Sequence, residues 1–96
     1  MGKKTTYVYI LGNTTGVLYT GMTSDLAGRL EQHRQKQVEG FTKRYGVSRL
    51  LFVEAFEHPV DALKAERMIK GWRRRKKLEL IRTMNPTFRD LSEDWL

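Results

Sequence analysis

A turn-forming segment between two β-prone segments limits the fold of this chain more than any other feature. Residues 6–11 (TYVYIL) and 17–22 (VLYTGM) are rich in β-branched and aromatic side chains, and residues 12–16 (GNTTG) are typical of a turn. This pattern predicts a β-hairpin. Because successive side chains of a strand point to opposite faces, three residues of each strand are expected to share a face. They are Tyr7, Tyr9 and Leu11 on the first strand and Val17, Tyr19 and Gly21 on the second.

Helical and strand patterns alternate after the hairpin. Thr23-Ser24-Asp25 predicts a helix start with a hydroxyl cap and an acid in the first turn, and this helix is expected to run to about Gln37. Beyond a loop at 40–46, residues 50–56 (LLFVEAF) predict a third strand that is apolar enough to be central in a sheet. Pro59 suits the first position of a second helix.

The second helix and the segments after it complete the expected fold. Glu66 lies about 40° around this helix from Ala62, at the edge of its apolar face. Residues 78–84 predict a further helical segment that Asn85-Pro86 ends, and the tail 87–96 is expected to pack as a short helix. We therefore expect a single α+β domain over residues 1–96, a three-stranded antiparallel sheet flanked by helices. Its element order would be β-β-α-β-α with carboxy-terminal helical additions.

The charge of the chain indicates the class of its partner. The chain has 18 Lys and Arg against 11 Asp and Glu, a formal net charge of +7, which favours a polyanion through counterion release. It contains no cysteine, which excludes disulfides, thiolate zinc sites and cysteine nucleophiles and fits the expected cytoplasmic location. No apolar run approaches the roughly 20 residues that span a bilayer, so no membrane association is expected.

Several short motifs, taken in order, resemble a known family. Tyr7-Val8-Tyr9 is followed ten residues later by Tyr19-Thr20-Gly21, and Arg29, His33 and Glu66 follow on later helices. This order resembles the GIY-YIG nuclease superfamily, which includes homing endonucleases, some restriction enzymes and the amino-terminal domain of an excinuclease. The chain is more similar to the small stand-alone bacterial members, through its FTKRY segment at 41–45 and its MNP segment at 84–86 as well.

The resemblance implies a role for each matching residue. Tyr9 matches the tyrosine of the first motif, Tyr19 and Gly21 match the second motif, Arg29 matches the helix arginine, His33 stands where relatives place a histidine or tyrosine, and Glu66 matches the metal-binding glutamate. Two positions depart from the wider family. Tyr7 replaces the glycine of the first motif, as in the small members, and Met22 stands where some relatives carry a lysine.

This resemblance implies a Mg²⁺- or Mn²⁺-dependent endonuclease that hydrolyses DNA phosphodiester bonds and acts in DNA repair or recombination. The expected target is a DNA structure rather than a sequence. Glu66 would hold the metal, which stabilises charge on the phosphate, and Arg29 would hold the phosphate through a bidentate contact. Either Tyr9 or Tyr19 would be the base, since a tyrosine with a pKa of about 10 needs neighbouring cations to act near neutral pH.

Basic residues elsewhere are expected to contact phosphates without reading bases. They are Lys43, Arg44, Lys70, Arg73, Arg74, Arg75, Lys76 and Lys77. DNA is the expected partner and RNA stays open, as does the oligomeric state, and no small-molecule cofactor is expected.

Two other functions fit the same residues. One is a nucleic-acid-binding module of this fold that has lost efficient turnover. The other is an interaction module that uses Trp72, Trp95 and the basic run to dock on an acidic protein. Taken singly, each site residue also has an ordinary structural interpretation, because strand tyrosines usually pack in the core and helix charges are usually solvated.

Overall fold

The structure is a computed structural model that describes residues 4–35 and 46–95. Within these residues the elements are β1 (Thr6–Gly12), β2 (Leu18–Thr23), α1 (Leu26–Arg34), β3 (Arg49–Phe56), α2 (Pro59–Lys70) and α3 (Arg74–Met84). The three strands form one antiparallel sheet. The predicted α+β architecture and its element order are therefore confirmed.

The sheet has the order β2-β1-β3, so the prediction that the third strand is central is wrong. The central strand is β1, in which Val8, Tyr9, Ile10 and Leu11 are each at most 1% exposed. The apolar residues Leu50, Leu51 and Phe52 of β3 are buried, and the tail covers the edge of the strand beside them. Leu91 N–H donates to the carbonyl of Leu50 over 2.8 Å, which caps part of that edge.

Helices cover both faces of the sheet. Val8 and Ile10 point from β1 toward α2 and α3, and belong to one apolar cluster with residues of both helices. Tyr9 and Leu11 point the other way and pack in a second cluster with residues of α1. None of the helices in the described ranges is long and apolar enough to cross a membrane.

The start of α1 differs from the expected arrangement. Asp25 is itself the N-cap, since its Oδ1 accepts a hydrogen bond from Gly28 N–H at 3.1 Å. Thr23 Oγ1 accepts a hydrogen bond from the backbone N–H of Asp25 at 3.0 Å. The predicted hydroxyl cap is therefore wrong, because the hydroxyl holds the capping residue and the carboxylate caps the helix. The helix ends at Arg34, and the expected end at Gln37 lies outside the described residues, as does the loop at 40–45.

The carboxy-terminal tail forms turns, so the predicted short helix there is wrong. Two side chains take the backbone hydrogen-bonding groups that a helix would use. Asn85 accepts from Arg89 N–H at 3.2 Å through Oδ1, and its amide donates to the carbonyls of Arg89 and Leu51 at 2.8 and 3.0 Å. Asp90 Oδ1 accepts from Leu50 N–H at 3.2 Å. The tail therefore follows the edge of β3. The preceding helix ends at Met84, as predicted.

Candidate active site

The register of the hairpin brings the two motif tyrosines together. Tyr9 of β1 lies directly opposite Gly21 of β2. A Cβ on Gly21 would lie 2.5 Å from Tyr9 Cζ, still closer to the Tyr9 hydroxyl, and 3.0 Å from Tyr19 Cε1. The Tyr9 ring therefore occupies the space that the missing side chain leaves, and the centroids of the two tyrosine rings are 6.4 Å apart. Tyr19 and Gly21 share a face of β2 as predicted, and the register places Tyr9 on the same side of the sheet.

His33 completes an aromatic cluster with these two tyrosines. It lies in the last turn of α1 and is 1% exposed. Its Nε2 is 3.2 Å from the Tyr9 hydroxyl oxygen. Its ring centroid is 6.0 Å from that of Tyr9 and 5.3 Å from that of Tyr19. We call Tyr9, Tyr19 and His33 the aromatic cluster.

Burial fixes the protonation state of this cluster. Burial, and then the positive charge of Arg29, lower the pKa of His33 below its ordinary value, so the imidazole is neutral at pH 7. Burial, and then Tyr19, raise the pKa of Tyr9, and Arg29 only partly offsets this. A phenol that keeps its proton beside a neutral imidazole fits Tyr9 as donor and His33 Nε2 as acceptor, with the imidazole proton on Nδ1. Among the described residues, Nδ1 has no hydrogen-bond partner.

Arg29 and Glu66 bring charge to the cluster from two different helices. Arg29 lies on α1, one turn before His33, and its charge acts on both Tyr9 and His33. Glu66 lies on α2, and its carboxylate is near enough to Tyr9 to contribute to the raised pKa of that hydroxyl. The fold therefore gathers all five residues that the sequence motifs single out for catalysis. They are Tyr9, Tyr19, Arg29, His33 and Glu66.

Glu66 is the acidic side chain that could hold a divalent metal here. Its side chain is 13% exposed, and its Oε2 is 2.8 Å from the ammonium of Lys70. In the described parts of the chain, no three His, Asp or Glu side chains form a metal-binding group. A single carboxylate fits an ion such as Mg²⁺, which commonly takes one or two protein carboxylates and completes its shell with water and phosphate oxygens.

Lys70 forms an ion pair with Glu66. The sequence patterns did not predict this pair, although side chains four residues apart on a helix can meet. The sequence predicts a contact between Lys70 and phosphate, whereas in the structure Lys70 contacts Glu66. Lys77 lies near Lys70, since burial and then the charge of Lys70 lower the pKa of Lys77.

The remaining basic residues of the run lie at the start of α3, where Arg73 is the N-cap and the others form the first turn. Arg73, Arg74, Arg75 and Lys76 are exposed there. Arg74 donates to the carbonyl of Gly16 in the hairpin turn, and Lys76 Nζ lies 4.4 Å from the centre of the Trp72 ring. Lys43 and Arg44, also expected to bind nucleic acid, lie outside the described residues.

Comparison with known proteins decides the family. Residues 5–79 match the family profile of the GIY-YIG catalytic domain. The chain belongs to the GIY-YIG family. This is a nuclease superfamily whose domain acts on nucleic acid, and its members are generally dependent on divalent metals. The resemblance seen in the motifs is therefore confirmed.

Small proteins of similar length resemble this GIY-YIG protein over most of its sequence. UPF0213 proteins of Staphylococcus aureus strains Mu3 and N315 are each 40% identical to it over 76 residues, which cover 79% of this chain and 93% of the relative. The solution NMR structure of a UPF0213 protein from Bacillus halodurans is 30% identical, with a TM-score of 0.60. That match covers 94% of this chain and 97% of the other.

The contact between Tyr9 and Gly21 yields a first prediction. Gly21→Ala should destabilise the protein by about 1–3 kcal/mol, because the added methyl group overpacks a site already filled by the Tyr9 ring. Urea unfolding measures the change. The matched control is Gly71→Ala, since a Cβ there would make only an ordinary contact, 3.6 Å from the carbonyl oxygen of Met68. Equal stabilities for the two variants would contradict this account of Gly21.

The lowered pKa of His33 yields a second prediction, on stability at acid pH. The unfolded chain binds the imidazole proton at a higher pH than the folded protein does, so stability is present above about pH 6.5 and is lost as the pH falls below it. His33→Gln should make the loss below about pH 6.5 less steep in urea unfolding. Tyr9→Phe should keep most of the wild-type slope, because burial is the main cause of the shift. An unchanged slope in His33→Gln would refute the assignment.

Proposed function

We propose that this GIY-YIG protein is a Mg²⁺- or Mn²⁺-dependent endonuclease that hydrolyses DNA phosphodiester bonds. The observation that carries the proposal is the convergence of two tyrosines, a neutral histidine, an arginine and one partly buried carboxylate on the hairpin. Their charges and hydrogen-bonding groups match the needs of phosphodiester hydrolysis, which are a base, a phosphate clamp and stabilisation of the leaving oxygen. A cytoplasmic site of action, in repair or recombination, is part of the proposal.

The two tyrosines are suited to different roles. Tyr9 is 1% exposed, keeps its proton because its pKa is raised, and is engaged with His33. We therefore assign it a positioning role. Tyr19 is partly exposed at the edge strand β2, so its side chain can reach solvent and the attacking water. Tyr19 is our candidate for the general base.

Arg29 and Glu66 would act on the phosphate. The planar guanidinium of Arg29 can hold two phosphate oxygens at once, and its charge already acts on Tyr9 and His33. A divalent ion held by Glu66 would supply Lewis-acid stabilisation of the phosphate and the leaving oxygen.

The start of α3 supports a polyanionic substrate. Its first turn is basic throughout and contains no acidic residue, and its N-cap, Arg73, makes no side-chain capping bond. Each cation near a helix N-terminus opposes the helix dipole and costs about 0.3–1 kcal/mol. A sequence that places cations there loses helix stability and gains a concentrated positive surface. Phosphates of the nucleic acid are the partner that this surface fits.

The rival functions are less well supported. A docking role for Trp72 fits poorly, because its ring is packed against the core cluster and covered by Lys76. A binding module with weak turnover is favoured by one observation, the ion pair that already engages Glu66. Cleavage measurements separate that module from the enzyme.

A third prediction concerns the catalytic residues. Tyr19→Phe should lower the single-turnover cleavage rate by about 10²–10⁴-fold, the range for loss of a general base. Tyr9→Phe should cause a smaller loss, and Glu66→Gln a loss of at least about 10²-fold. The assay is a panel of flap, branched, nicked, duplex and single-stranded DNA with Mg²⁺, Mn²⁺ or chelator.

The control for this series is Tyr7→Phe, because Tyr7 shares the tyrosine face of β1 but lies outside the aromatic cluster. Its rate should equal that of the wild type. Binding is measured in parallel by fluorescence anisotropy. Wild-type cleavage in both Tyr19→Phe and Glu66→Gln would overturn the site, and DNA binding without cleavage by the wild type would favour the binding module.

A fourth prediction concerns the basic run. Changing Arg73, Arg75 and Lys76 together to Gln should weaken binding to all DNA sequences alike and flatten its dependence on log salt by up to about 0.9 per lost duplex phosphate contact. Arg74 is left intact because it holds the hairpin turn. A variant with Lys4, Lys64 and Arg82 changed to Gln removes the same charge elsewhere. Equal salt slopes for the two triple variants would contradict the proposed contacts.

A further inference from the structure

The carboxylate proposed to hold the metal is already engaged by a cation of the protein. Lys70 Nζ lies 2.8 Å from Glu66 Oε2, one helical turn away. The two side chains differ in freedom, since Glu66 is 13% exposed and Lys70 is 52% exposed. Glu66 is therefore held in place by its surroundings, whereas the long, flexible side chain of Lys70 can leave.

Two other cations of this part of the molecule also disfavour a lone divalent cation. Arg29 and Glu66 both act on Tyr9, and Lys77 lies near enough to Lys70 for the two charges to repel. Lys70 is therefore in contact with Glu66, while Arg29 and Lys77 add positive charge beside Tyr9 and Lys70 respectively. A doubly charged ion would meet this repulsion, and the Lys70 ammonium engages one of the two carboxylate oxygens that could be its ligands. A phosphate would instead be attracted by all three cations.

We propose that Lys70 is an internal competitor for the metal at Glu66, and that nucleic-acid phosphate displaces it. In the free protein its ammonium engages Glu66 and keeps metal affinity low. When a phosphate binds, Lys70 moves to a phosphate oxygen and Glu66 becomes a free ligand. Metal binding therefore follows substrate binding, which ties assembly of the active site to the presence of DNA. This inference rests on the proposed metal role of Glu66.

The first test measures Mn²⁺ binding to the folded full-length chain, without activity, from the electron paramagnetic resonance signal of free Mn²⁺. Lys70→Gln should tighten Mn²⁺ binding at least about fivefold, clearly above the roughly twofold effect of a fully exposed i, i+4 pair. Lys70→Arg, which keeps the cation, should bind Mn²⁺ as the wild type does. The matched control is Lys64→Gln, a change at an exposed lysine of the same helix, and it should leave the Mn²⁺ affinity unchanged.

The second test measures coupling between DNA and metal. Every arm carries Tyr19→Phe so that cleavage of the DNA duplex is slow during the measurement, and Mn²⁺ bound by DNA alone is subtracted. Duplex should raise the Mn²⁺ affinity of the Lys70-containing protein at least about tenfold and that of the Lys70→Gln variant less than about threefold, within the usual range of coupling between two sites. Equal coupling in both proteins would overturn the inference.

A further variant separates the two levels of the argument. In the Lys70→Gln background, Glu66→Gln should abolish the tightened Mn²⁺ binding. If it does not, the metal does not bind at Glu66, and the proposed function fails together with this inference. If Glu66→Gln abolishes binding but Lys70→Gln and Lys64→Gln both match the wild type, Glu66 keeps its role. Lys70 is then an ordinary surface ion pair, and this inference alone is overturned.

Discussion

The central strand β1 is buried on both faces, and the rest of the structure depends on that constraint. Alternate residues point to opposite helical layers, so Val8 and Ile10 build one apolar cluster and Tyr9 and Leu11 the other. A tyrosine ring in such a strand needs space between the sheet and α1. The missing side chain of Gly21 supplies it, because this glycine is the direct cross-strand partner of Tyr9.

Residues far from the aromatic cluster hold α1 where it can present His33 to Tyr9. Arg34, the next residue after His33, donates to Ser92 and lies 3.5 Å from the carboxylate of Asp90. Asp90 in turn accepts from the backbone of Leu50 on β3. The tail thus connects the end of α1 to the edge of the sheet. Because burial depends on this packing, the neutral state of the imidazole depends on it too.

Local sequence patterns were sufficient for the type and order of the elements. Alternation in residues 6–11 and 17–22, broken by a glycine-rich turn, predicted the hairpin, and in the structure Tyr9 and Tyr19 lie on the same side of the sheet. The failures concern long-range contacts. The apolar run of β3 did not reveal that β3 is an edge strand covered by the tail. The prediction of a helix in the tail was wrong because the side chains of Asn85 and Asp90 form hydrogen bonds with backbone groups of β3 and of the tail itself.

The sequence by itself singled out the residues of the candidate site, because their order along the chain resembles that of the GIY-YIG motifs. It left the two tyrosines equivalent. Only the tertiary structure distinguished them, by burying Tyr9 against His33 and leaving Tyr19 partly exposed. It also decided that Glu66 has Lys70 as its partner. The physical reason is that protonation states depend on burial and on distances through space, and that the i, i+4 spacing of Glu66 and Lys70 permits their ion pair without deciding that it forms.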